Sequence, residues 1–159
     1  MNRKYNLTTT LLKHEVWEFI TTPDNRQQWV SGLLSTTRVK GKSQEKGNLL
    51  RVLFLINSTE IELREEIKEI IPGEMLQLTF TSPGSSSVLT LRLATDDFLT
   101  ILTLQLEVEW KGVRSILLKT VWQPSIEKRL LTSLDSLKKI LETGVILPAA
   151  NDKTSNTTV

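Results

Sequence analysis

The chain has no cysteine and a single histidine, His14, among its 159 residues. The first absence excludes thiolate nucleophiles, disulfides and cysteine-ligated metal, and it fits a reducing compartment. The second leaves no histidine pair. No carboxylate cluster at ligand spacing replaces one, so no transition-metal site is expected. His14 lies in Lys13-His14-Glu15, which reads as the solvated start of a helix and not as part of a nucleophile–base pair. An excess of one charge is also missing: 20 basic residues meet 18 acidic ones, for a net charge of +2. Nucleic acids and anionic membranes both require a clustered basic patch, so neither is expected as a partner. Arg38, Lys40 and Lys42 read as a solvated loop. No apolar stretch approaches the roughly 20 residues of a membrane span, and none follows Met1-Asn2-Arg3-Lys4 as a secretory leader would require. The corresponding expectation is a cytoplasmic protein, in which the sequons at Asn6, Asn57 and Asn156 are chance matches.

What is present suffices for one domain, placed at 1–147. A chain of this length buries roughly 70% of the surface that its unfolded form exposes, so it needs no disulfide, metal or cofactor to fold. From Pro148 onward the apolar content nearly vanishes, and 148–159 is expected to be a disordered tail.

Tyr5 to Thr9 alternates as a first strand. Leu12, Val16, Phe19 and Ile20 recur at helical spacing, predicting a helix from about Leu12 to Ile20. A second, short helix is predicted from Pro23 to about Ser31, with Thr22 as its cap, proline at its first position and Gly32 as its left-handed stop. Then the period changes to two. Strands are predicted over Leu34–Val39, Leu49–Ile56, Thr59–Ile71, Leu76–Phe80, Leu89–Leu93 and Leu102–Trp110. They are separated by Asn57-Ser58, Pro72-Gly73, Pro83-Gly84 and Asp96-Asp97, all turn chemistry. Short turns imply sequential antiparallel pairing. The final pattern is helical. Val113, Ile116, Leu117, Thr120 and Val121 form one stripe, and Leu130, Leu134, Leu137 and Leu141 form another. Pro124 lies between them, and a bend or break is expected within a turn of it.

The predicted fold class is α+β: a curved six- or seven-stranded antiparallel sheet wrapped around a long C-terminal helix, with two short helices after the first strand. A sheet with one apolar face must cover that face. A curved sheet closed by a single helix leaves an apolar gap between the two, the usual form of a small-ligand site.

Several segments carry a family resemblance. They are Val16-Trp17-Glu18-Phe19-Ile20 with Pro23 and Trp29, Gly47 opening a strand, the Glu66–Glu74 strand and turn, and the Ser133–Glu142 helix end. In this order, over residues 3 to 145, they resemble the SRPBCC superfamily, in particular its polyketide cyclase/dehydrase-like branch. That family has the helix-grip fold shared with START lipid-transfer domains and the birch-pollen allergens. The glycine-rich loop of the pollen-allergen branch is missing. The resemblance implies binding of hydrophobic small molecules, sometimes with catalysis in the cavity.

The candidate ligand site follows from strand parity. Phe54, Phe80, Leu104 and Trp110 line the sheet side, Leu117 and Val121 the helix side, and Trp29 stands near the entrance. Glu65 shares parity with Ile61, Leu63 and Ile67. On that inner face it must find a cation or give up its charge, and it could orient a polar ligand group or act as a base. A bulge at Glu65-Glu66, or an early strand end, would instead leave it in water. Arg51 and Arg92 fall on outer faces. With so few inward ionisable groups, binding or carriage of a hydrophobic small molecule is preferred. The alternatives are a cyclase/dehydratase-type enzyme using the same cavity and a chaperone-ATPase-activator-like module that binds a protein on its outer surface. A monomer or homodimer is expected.

Overall fold

The structure, a computed structural model, describes residues 1–113 and 115–143. The expected 148–159 tail lies outside them. Seven strands form one curved antiparallel sheet: β1 (Asn2–Thr9), β2 (Leu33–Lys40), β3 (Leu49–Ile56), β4 (Thr59–Ile71), β5 (Met75–Ser82), β6 (Ser85–Asp96) and β7 (Leu99–Trp110). Strands β2 to β7 run as a meander, and β1 closes onto the free edge of β7, giving the order β1-β7-β6-β5-β4-β3-β2. Between β1 and β2 come helix α1 (Lys13–Thr21) and a 3-10 helix (Pro23–Gln28); α2 (Ser115–Thr143) ends the described chain.

The meander follows from its turns. Ile56 pairs with Thr59, which leaves Asn57 and Ser58 as a two-residue connection with φ of 51° and 63°. Positive φ at both central positions is the hairpin geometry that matches strand twist, and asparagine tolerates it. Helix α1 forms because Val16, Phe19 and Ile20 share one buried stripe. Its start is secured by the Leu12 N–H, which donates to Glu15 Oε2 at 2.8 Å, half of a capping box. Thr22 does not cap the following helix as expected. Its hydroxyl donates back to the Glu18 carbonyl at 2.7 Å, the common alternative for a threonine at a helix end. The following segment is also shorter and tighter than predicted, ending at Gln28 and not near Ser31.

The core occupies one end of the concave face. Leu134, Leu137 and Leu141 of α2 meet Phe19 and Ile20 of α1 over Leu91, Leu93 and Leu102 of the sheet. Two buried hydroxyls stitch this end together. Thr9 Oγ1 donates to the Leu141 carbonyl at 2.8 Å, and Thr100 Oγ1 donates to the Leu11 carbonyl at 2.7 Å.

Helix α2 corrects the sequence reading twice. It continues through Pro124 without the break that was one of the two outcomes expected there. The lost hydrogen bond falls on the carbonyl of Thr120, an exposed residue, so water can take the bond's place. The expected apolar stripe over its first two turns is not turned to the sheet either: Ile116, Leu117 and Val121 are exposed. At about 100° per residue, the nine positions from Val121 to Leu130 amount to about 180° of rotation. Val121, and Leu117 one turn before it, therefore face away from Leu130, whereas Ile116 shares the phase of Leu134 and is nevertheless exposed in the first turn.

Candidate functional site

Register places the inner-face residues in rows across the sheet. One row runs Tyr5, Leu104, Leu91, Leu76. The next but one runs Val108, Ser87, Phe80, Glu65, Leu50. Beyond it Trp110 stands opposite Ser85, which pairs with Ser82. Along β6 the inward positions thus change from Leu93, Leu91 and Leu89 to Ser87 and Ser85. Small side chains replace large ones where α2 offers only Trp122, Ile126, Arg129, Leu130 and Ser133. The space left is a cavity of about 530 Å³ between sheet and helix, within the size range of small-molecule sites. Its exposed lining residues, Glu60, Glu62 and Pro83, belong to the β3–β4 and β5–β6 hairpins, so the mouth opens at that end.

Two ties hold α2 across the cavity. Arg3 Nη2 on edge strand β1 contacts Glu127 Oε1 at 2.7 Å. On the other side Asn57 Nδ2 donates to Ser125 Oγ at 2.7 Å. Further along, the Ser31 N–H donates to Ser133 Oγ at 2.8 Å and joins the loop before β2 to the helix. Gly32 follows with φ of +78°, and the Arg129 guanidinium lies against it: a Cβ built there would stand 1.9 Å from Arg129 Nη1. Glycine is required here both for the left-handed backbone and for the space the arginine occupies.

Glu65 keeps its predicted inward parity and is only 2% exposed. The bulge that could have turned it outward lies further on, between Ile67 and Glu69. Its cation is Arg26, on the 3-10 helix, with Nη1 2.5 Å from Oε2 and both side chains buried. Burying this pair is costly unless both ions stay matched, so the two charges hold each other and the 3-10 helix to β4.

The other predicted positions divide. Phe54, Phe80, Leu104 and Trp110 lie on the cavity wall. Trp29 also lies on the wall, but deep in the core at 7% exposure and not at the entrance. The 3-10 helix carries it inward beside Arg26, three residues earlier on the same face. Leu117 and Val121 do not line the cavity; they are 72% and 57% exposed, on the opposite face of α2. Their places are taken by Trp122, Ile126, Arg129, Leu130 and Ser133. Sequence reasoning missed Arg26 and Arg129. The spacing Trp122, Ile126, Arg129, Ser133 is a helical stripe in its own right, and Arg26 shares a face with Trp29 at three residues. Either signal would have found them. His14, Arg51 and Arg92 are exposed, as expected from their positions.

The fold is shared with solved structures at low sequence identity. CV1439 from Chromobacterium violaceum matches with a TM-score of 0.68 at 14% identity, covering 89% of this chain and 96% of that one. TTHA0849 from Thermus thermophilus matches at 0.70 and 12%, over 89% and 97%. A START superfamily protein from Mycobacterium smegmatis matches at 0.65 and 13%, over 89% and 94%. Such identities establish the fold alone. A search of the curated proteins finds no match. Residues 13–142 match the family model described as polyketide cyclase / dehydrase and lipid transport. With its sheet gripping one long helix over a cavity, and most of its length matched, the chain belongs to that family of SRPBCC proteins.

Proposed function

We propose that the protein binds or carries a hydrophobic small molecule in the cavity between sheet and α2, and does not transform it. The observation that carries this reading is the lining. Apolar side chains such as Phe54, Phe80, Leu89, Leu106 and Ile126 make up most of the wall. The one inward carboxylate of β4, Glu65, is committed to Arg26. Proton-transfer catalysis needs an acid or base free to reach the reacting atom, and a carboxylate held by a buried arginine is poorly suited to it. A cyclase- or dehydratase-type role would have to recruit Glu65 away from its partner.

Organic extraction of the natively purified protein, followed by mass spectrometry, tests this. The expected result is an apolar small molecule at close to one per chain, unchanged in mass on prolonged incubation. A protein that arrives empty and takes up no apolar compound would sink the reading. A bound compound whose mass changes with time would move it to catalysis.

A further inference from the structure

The cavity wall holds hydrogen-bond donors with nothing to receive them. Arg129 lines the cavity, half-buried, and among the described residues its side chain makes no ion pair and no hydrogen bond. The indole N–H groups of Trp29 and Trp110 are buried and likewise unpartnered; both residues line the same cavity. An indole N–H and a guanidinium only donate, so neither can satisfy the other. Two acceptors of the wall are already engaged. Glu65 accepts from Arg26, and Ser133 Oγ accepts from the Ser31 N–H while donating to the Arg129 carbonyl. Glu60 and Glu62 stand exposed at the cavity's mouth, at the parity opposite to inward Ile61 and Leu63, and Glu62 lies 3.9 Å from Arg51. With Arg26 and Glu65 neutralising each other, Arg129 is the cation left without an ion pair among the cavity's described lining residues.

Trp29 and Arg129 also belong to one seam. The loop segment Trp29–Gly32 is bonded to the helix segment Arg129–Ser133 through Ser31 and Ser133, and Gly32 makes the room in which the guanidinium lies. A buried donor left unmade is costly, so what enters this apolar cavity should bring an acceptor to the seam.

We propose that the ligand is an amphipathic monocarboxylate: an apolar body filling the space over Phe80, Ser87 and Leu89, and a carboxylate received by Arg129. The planar guanidinium fork matches a carboxylate's two oxygens. This rests on the cavity-binding reading above and goes beyond it by fixing the charge and polarity of the ligand.

The test uses cis-parinaric acid and its methyl ester, which share one fluorescent apolar body and differ in the charged head. At neutral pH the wild-type chain should bind the acid at one per chain and at least about tenfold more tightly than the ester, as expected for a hydrogen bond to a charged group. Arg129→Met should bring the two within about twofold while the ester's affinity stays close to the wild-type value. Arg129→Lys, which keeps the charge and loses the fork, should retain part of the preference. Equal binding of acid and ester by the wild type would overturn the proposal and leave the cavity reading intact. A preference that survives Arg129→Met would also overturn it, because the carboxylate would then sit elsewhere. Binding of neither compound would overturn both readings.

Discussion

The two ends of the sheet's concave face are built from the same strands and covered by the same helix, yet one is filled and the other hollow. At the filled end, Leu93, Leu91 and Leu102 of the sheet meet Leu137 and Leu141 of α2, with Phe19 and Ile20 of α1 wedged beside them. At the hollow end, β6 presents Ser87 and Ser85, and among the described residues no second α-helix backs α2. The difference lies in side-chain volume and in α1 reaching only one end. Apolar patterning alone therefore does not make a core. The same alternation gives a packed interior where bulk is supplied from both sides and a ligand cavity where it is not.

The contrast predicts a graded series of stabilities, measurable by denaturant unfolding. The largest effect belongs to the boundary between the two ends, where Arg26 and Glu65 are paired. Arg26→Ala leaves a buried carboxylate without its cation and should cost about 3–5 kcal/mol. A cost below about 1 kcal/mol would mean that cavity water already reaches Glu65, and the boundary would not be dry. Next comes Leu137→Ala at the filled end. This side chain is 0% exposed, and its loss should cost about 2–5 kcal/mol. The matching change at the hollow end, Ile126→Ala, should cost under about 1 kcal/mol, since part of that side chain already faces empty space. Equal costs would erase the distinction. Gly32→Ala comes third, at about 1–3 kcal/mol, from left-handed backbone strain and the displaced Arg129. Smallest are Leu117→Ser and Val121→Ser on the exposed face of α2, each expected within about 0.5 kcal/mol of wild type.

Much of this fold was legible in the sequence because β structure writes itself locally. Turn pairs such as Asn57-Ser58 and Pro72-Gly73 mark hairpins, and parity assigns a face to each residue between them. That is why Phe54, Phe80, Leu104 and Trp110 could be placed on the cavity side, and why Glu65 kept its inward orientation once the bulge fell beyond Ile67. The helix side was illegible for a different reason. Val113–Val121 and Leu130–Leu141 each show a good apolar stripe, and the proline between them suggested that a break would let both face the sheet. The helix does not break, so its phase is fixed and Leu117 and Val121 fall on the face away from Leu130, while Ile116, in phase with Leu134, is exposed in the first turn. The ionic part of the site was missed because the local spacing of Arg26 with Trp29 does not name the partner that Arg26 meets. Arg26 is inward only because Glu65, 39 residues later, stands opposite.

The central claim is that the hollow end is a ligand cavity bounded by β6 and by the Trp122–Ser133 face of α2. Titration with Nile red, a neutral apolar fluorophore, tests it on three proteins: the wild type, Ser87→Trp and Leu117→Trp. The account predicts one dye per chain for the wild type. Ser87→Trp should lose binding because the indole fills the cavity, with the folded far-ultraviolet spectrum retained. Leu117→Trp should bind like the wild type, because that position lies on the outer face of the helix. Binding that survives Ser87→Trp, or is abolished by Leu117→Trp, would contradict it.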